Sequence, residues 1–193
     1  MAVEDKRRQI LEAAVRVFAA NGYESSRVGD VAKEAGVAYG LVYHYFASKD
    51  AVLEAVFHEA WGRLLTAVAL AEETGEDAAD QLSLVVRIVL RAWGDDPDLV
   101  RLLVREITRN PHIQDELDEI AQALTILERI VSAGQQAGTL RRDVDSKLAA
   151  WMLFGALEEV LTGWVLGRLP DDVETVAAAE REVIATMVGG LRS

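Results

Sequence analysis

The 193-residue chain has no cysteine, only three prolines and no run in which Val, Ile and Thr alternate with polar residues. Without thiols there can be no disulfide framework, thiolate zinc site, iron–sulfur cluster or cysteine nucleophile. A chain of this length buries enough apolar surface to fold without such staples. The few prolines leave long stretches free to coil, and Pro97, Pro111 and Pro170 each stand where a helix could start, a position at which a missing N–H costs nothing. With 29 alanines and no strand pattern, the expected fold class is all-α.

Positive charge is also scarce: 20 Lys and Arg face 32 Asp and Glu, a net charge of −12. Taken globally this argues against nucleic acid, because phosphate neutralisation by Lys and Arg supplies most non-specific affinity. The deficit is uneven, however. Residues 1–50 carry seven basic and seven acidic side chains, so the whole imbalance belongs to residues 51–193. The aromatics divide at nearly the same place: Tyr23, Tyr39, Tyr43 and Tyr45 precede residue 46, whereas Trp61, Trp93, Trp151 and Trp164 follow residue 60. Two segments with different tasks are expected, at residues 1–47 and 48–193.

No export or membrane signal is apparent. Lys6-Arg7-Arg8 precedes an apolar stretch, but Glu12 and Arg16 interrupt it. The uncharged run Leu148 to Leu157 is ten residues long, half of a membrane span. A cytoplasmic protein with no membrane partner is expected.

The periodicity and the Gly, Pro, Ser, Asp and Asn punctuation predict nine helices, at about 5–20, 27–35, 39–46, 48–73, 77–93, 97–108, 112–136, 145–167 and 171–190. The first three are short, with stops at Asn21-Gly22 and Ala35-Gly36. The fourth begins at Ser48, a capping residue, and at ~1.5 Å per residue is roughly 39 Å long, enough to belong to both segments and to carry motion between them.

Residues 28–46 predict a helix, a tight turn and a second helix. Ala32 and Ala35 allow close approach and Gly36 the turn, as a helix-turn-helix requires. On the second helix Val42 can face inward, but Tyr39, Leu41, Tyr43, His44 and Tyr45 cannot all be buried. Tyr hydroxyls and His N–H groups donate well to phosphates. Tyr39, Gly40 and Leu41, at the helix start, are placed to reach base edges, with Leu41 suited to a thymine methyl and Gly40 to close backbone approach. Lys49, beside the positive end of the long helix, is a second candidate phosphate clamp. The simpler alternative is a helical hairpin with surface tyrosines.

The run GYESSRVGDVAKEAGVAYGLVYHYFASKDAVL, residues 22–53, resembles the DNA-binding signature of TetR-family transcriptional regulators, and GQQAGTLRRDVD, residues 134–145, is similar to the link before the last two helices in many members. The resemblance implies a homodimeric, ligand-responsive regulator, usually a repressor, with a three-helix reading head on a palindromic duplex operator. It implies backbone contacts from Ser26 and Arg27, base contacts from Tyr39 to Leu41, and phosphate contacts from Tyr43, His44 and Lys49. Two positions depart from the pattern. Ala38 stands where Ser or Thr usually caps the recognition helix, at a cost of ~1 kcal/mol or less, and Leu41 replaces a frequent Thr.

In the acidic half, the helix from Lys147 to Gly167 carries more apolar residues than one buried face needs. With the last helix it is expected to form the dimer interface through Phe154, Leu157, Leu161, Trp164, Val176, Val183 and Met187, in four-helix packing. Gly163 and Gly167 form a GxxxG that is either a close helix contact or a helix end. Candidate effector-lining residues are Trp61, Leu65, Trp93, Leu103, Ile107, Ile126, Ile130 and Trp151. Arg101, Arg105 and Arg109 share a face, read as a solvated stripe pairing with Asp98 and Glu106. If an Arg rims the pocket, the effector is an anionic amphiphile such as an acyl thioester, as in the fatty-acid-responsive FadR-like branch of the family. A large apolar or cationic aromatic compound is the other class, and control by a protein partner is an alternative to any small molecule.

Catalysis has no constellation. His58-Glu59 lacks the second His of a zinc-protease helix, no GxSxG or phosphate-binding glycine loop occurs, and adjacent Glu158 and Glu159 point to different helix faces. His58 and His112 are read as exposed or packing residues. No enzyme activity, cofactor or metal is expected.

Overall fold

Acidic and hydroxyl side chains start the helices. Asp77, Asp145 and Asp172 accept backbone N–H groups from Asp80, from Leu148, and from Glu174 and Thr175, and Ser48 Oγ accepts from Ala51 at 3.0 Å. Each satisfies donors that the first helical turn leaves open. In a computed structural model of the protein, which describes residues 2–107 and 118–193, these signals give nine α-helices among the described residues: α1 (Ala2–Asn21), α2 (Val28–Glu34), α3 (Tyr39–Tyr45), α4 (Lys49–Glu72), α5 (Ala78–Asp95), α6 (Pro97–Ile107), α7 (Asp118–Ala137), α8 (Ser146–Val165) and α9 (Val173–Val183). The all-α expectation holds. Asn110, Pro111 and His112, at the expected start of the seventh helix, and Arg109 lie outside the described residues.

The expected ninth helix does not run unbroken to 190. After Val183 it widens to one π turn, Ile184–Val188, and tightens to a 3-10 turn at Gly189–Leu191. Thr186 Oγ1 donates to the Glu182 carbonyl at 2.7 Å, competing with the helical ladder, and two glycines follow. The end is held by Arg141 N–H donating to the Leu191 carbonyl at 2.8 Å.

The chain divides into two compact units: Met1–Ala60 with Pro97–Glu116, and Trp61–Asp96 with Leu117–Ser193. In the first, α1 packs on α2 and α6, and α2 on α3. Its core includes Ile10, Leu11, Phe18, Val31, Val42, Leu53 and Phe57. Gln9 Nε2 donates to the Ala35 carbonyl at 2.7 Å, tying α1 to the end of α2.

In the second unit α7 packs on α8 and α5, and α9 on α5. Gly134 marks a close crossing of α7 on α5, since a Cβ there would stand 2.5 Å from that of Ala78. Arg91 Nε and Nη2 donate to the two carboxylate oxygens of Glu180 at 3.0 and 3.2 Å, joining α5 to α9. The α8 helix, Ser146–Val165, does reach the length and hydropathy of a membrane span, beyond what the ten-residue uncharged run suggested. It carries Glu158 and Glu159 and buries Ala149, Ala150, Leu153, Leu157 and Trp164 within its own unit.

The GxxxG of α8 is a helix end rather than a helix contact. Gly167 takes φ +64°, its N–H donates to the Trp164 carbonyl and that of Arg168 to the Gly163 carbonyl, a Schellman closure. The Leu169 side chain folds over Gly163, where a Cβ would be 2.6 Å from Leu169 Cδ1.

Candidate nucleic-acid interface and effector cleft

The segment from α2 to α3 turns tightly because Gly36 takes φ +64° and Val37 N–H returns to the Ala32 carbonyl at 3.0 Å. Arg27 N–H donates to Asp30 Oδ2 at 2.9 Å, fixing the entry to α2 and leaving the Arg27 side chain exposed. Ala38 precedes α3 with no side-chain cap, as its methyl dictates.

Within α3 only Val42 is buried. The remaining face is aromatic and open: Tyr39 is 57% and Tyr43 45% exposed, their rings meet edge to face at 5.1 Å, and their hydroxyls lie 3.3 Å apart. The hydrogen bond the two hydroxyls share raises the pKa of the Tyr43 phenol from its ordinary value. His44 is exposed, with its ring 5.2 Å from that of half-buried Tyr45, and Leu41 is half-buried. Gly40 is exposed, has no positive φ, and a Cβ added there would meet nothing within 4 Å. The fold therefore has no need of a glycine at that position.

Two residues expected at phosphates are turned inward. Ser26 is only 3% exposed, and its hydroxyl donates to the Gly22 carbonyl at 2.8 Å. Lys49 Nζ donates to the carbonyls of Tyr23 (2.9 Å) and Ser26 (3.3 Å), with that of Glu24 at 3.5 Å. The Tyr23 carbonyl also accepts from Ser26 N–H at 3.1 Å, and an ammonium with three donors beside a loop that presents three carbonyls binds them in place of water. Sequence reasoning missed Tyr23 and Asp50, whose side chains complete this staple: the buried Tyr23 hydroxyl donates to Asp50 Oδ1. Burial, then the bond to Asp50, pushes the phenol far above its ordinary range.

In the second unit an open cleft of about 470 Å3 lies between α4 and α7, with Leu65, Ala69, Ile126, Gln122 and Arg129 among its lining. Of the residues expected to line an effector site, Leu65 and Ile126 are in this cleft. Trp61 lies one turn before Leu65 on α4. Trp93 and Ile130 are instead core, Trp93 packing on Trp164 with ring centroids 6.1 Å apart. Trp151 is 54% exposed and faces outward beside Leu148 and Met152. Leu103 and Ile107 lie on α6, in the first unit.

The residues expected at a dimer interface also divide. Leu157, Trp164 and Val183 are buried inside the protomer and cannot offer surface, whereas Phe154, Leu161, Val176 and Met187 are half-buried. On the arginine stripe, Arg101 pairs with Asp98 at 2.7 Å, while Glu106 is buried. No group of three or more His, Asp or Glu suited to a metal occurs among the described residues.

Residues 10–56 match the family "Bacterial regulatory proteins, tetR family", and residues 57–187 match "YsiA-like protein, C-terminal region". The fatty acid metabolism regulator protein of Bacillus subtilis is 32% identical over 190 residues, covering 97% of this chain and 96% of that protein. Among solved structures, the fatty acid degradation regulator FadR of Bacillus halodurans superposes with a TM-score of 0.86 at 30% identity, covering 97% of this chain and 96% of the other. FadR of Bacillus subtilis in complex with stearoyl-CoA gives 0.84 at 32% identity, covering 96% and 99%.

Proposed function

The chain belongs to the TetR family of bacterial transcriptional regulators, and from that premise we propose that it is a homodimeric repressor that leaves a palindromic operator when a long-chain acyl-CoA binds. Its relatives are regulators and not enzymes, in line with the missing catalytic constellation. The observation that carries the DNA-binding half is the outer face of α3, where two tyrosines, a histidine and a glycine that the fold does not need are exposed to solvent instead of packed in the core.

In this reading Tyr39, Gly40 and Leu41 meet base edges, because they begin a helix of the kind that enters the major groove end-on. Tyr43, His44, Tyr45 and the Arg27 side chain donate to phosphates. Ala38 contributes close backbone approach. Ser26 and Lys49 act indirectly, by holding the loop before α2. The neutral head on an acidic body favours specific contacts over indiscriminate attraction to DNA. Such a regulator works in the cytoplasm, where its DNA is.

The effector assignment rests on a relative one-third identical over nearly its full length that is seen with stearoyl-CoA. Selection of bound sequences from random duplex DNA by the full chain is expected to recover a two-fold-symmetric site, and stearoyl-CoA is expected to release it. Recovery of no symmetric site overturns the operator reading. Undiminished binding at saturating stearoyl-CoA overturns the effector reading and leaves control by a protein partner.

A further inference from the structure

The cleft on α4 and α7 has one charged end and one buried donor beyond its other end. At the charged end Arg129 Nε and Nη2 donate to Glu72 at 2.9 and 2.6 Å, which orients the guanidinium and leaves its Nη1 donors uncommitted in that bidentate pair. At the other end, Trp61, Leu65 and Ala69 follow one another at i, i+4 spacing, so Trp61 continues the stripe of α4 that lines the cleft. The Trp61 indole N–H is buried and donates to nothing among the described residues. A buried donor without an acceptor is destabilising, and a ligand carbonyl would relieve that cost.

Resting on the reading that the effector is an acyl-CoA, we propose that this cleft seats the pantetheine arm, with a phosphate on Arg129 and the thioester carbonyl accepting from Trp61 Nε1. The lengths agree. Trp61 and Glu72 are eleven residues apart on α4, about 16 Å at 1.5 Å per residue. The chain from diphosphate to thioester carbonyl is about fourteen bonds, roughly 16 Å when extended.

The polarity agrees as well. Thr66 and Thr125 already donate their hydroxyl hydrogens to the carbonyls of Gly62 and Ala121, each at 2.8 Å. They therefore present acceptor lone pairs to the cleft, which suit the two amide N–H groups of the arm. Gln122 offers both a donor and an acceptor, and the apolar carbons of the arm lie against Leu65, Ala69 and Ile126. Glu73 also lines the cleft and is exposed. Its charge opposes a diphosphate, so it should limit affinity.

Titration of the full-length protein with stearoyl-CoA, and with the octadecyl thioether of CoA that lacks the carbonyl, tests each contact. Trp61→Phe is expected to weaken stearoyl-CoA five- to tenfold and to leave the thioether unchanged. Arg129→Gln is expected to weaken both about tenfold and flatten the salt dependence, and Glu73→Gln to tighten both two- to threefold. Glu72→Gln breaks the same ion pair but keeps the cation, and should bind within twofold of wild type. If Trp61→Phe and Arg129→Gln bind like wild type, or Glu72→Gln loses as much as Arg129→Gln, the subsite is overturned while the effector reading stands. A wild-type chain that binds no stearoyl-CoA overturns both.

Discussion

The Lys49 ammonium lies 4.1 Å from the centroid of the Tyr23 ring and 2.9 Å from the Tyr23 carbonyl oxygen, so a cation at a helix start is folded back onto its own chain. Lys49→Ala should therefore lower the stability of the protein, by about 1–2 kcal/mol for the charge-assisted hydrogen bonds and the cation–π contact. Operator affinity should fall on every sequence, with the salt dependence preserved. Thermal melts paired with binding at several salt concentrations separate the roles, because loss of a direct phosphate contact would reduce the slope of log affinity against log salt by about 1.

Gly40→Ala should raise stability, by about 0.5–1 kcal/mol, because alanine loses less backbone entropy in a helix and a Cβ has open space there. The same variant should bind the operator less well if DNA comes close to that backbone. A higher Tm together with unchanged affinity would remove Gly40 from the interface.

Tyr23 gives a signature at high pH. Its folded pKa is raised above the ordinary 10.0, by burial first and then by the bond to Asp50. A raised value contributes stability that is intact below about pH 10 and lost as pH climbs past it, where the unfolded phenol ionises and the folded one does not. The Tm should fall above pH 10 in wild type and less steeply in Tyr23→Phe. Equal pH slopes in the two proteins would contradict the assignment.

Trp151 tests the proposed dimer. It stands 54% exposed beside Leu148 at 56% and Met152 at 53%, an apolar patch of the kind that marks an interaction surface. Trp151→Glu is expected to shift sedimentation from dimer to monomer and to abolish tight operator binding, with helicity retained. A stable dimer in that variant would remove Trp151 from the proposed dimer interface.

The regular part of the fold was legible in the chain because helix starts and stops are local. Asp77, Asp145 and Asp172 cap what the pattern predicted, and Gly22 and Gly36 adopt the positive φ their positions required. What the pattern could not decide was which way an all-round apolar helix faces. On α8, Trp151 and Trp164 are alike in type, yet one is open to solvent and the other is 3% exposed, since the choice belongs to the helices packed against it. Lys49 shows the same limit in miniature: its spacing placed it at a helix start, but the carbonyls it reaches come from residues 23–26, a turn whose path no periodicity describes.

The partition of aromatic residues gives the protein built-in optical reporters. All four tyrosines lie in the unit that contains α1 to α3, and all four tryptophans in the unit that contains α5 and α7 to α9. Emission excited at the red edge of the indole band thus watches the acidic body alone, while phenol absorbance watches the reading head. Heating the unlabelled native chain while following both signals shows whether the two halves melt as one cooperative block or in sequence, and adding the proposed operator or effector shows which half, if either, each of them stiffens.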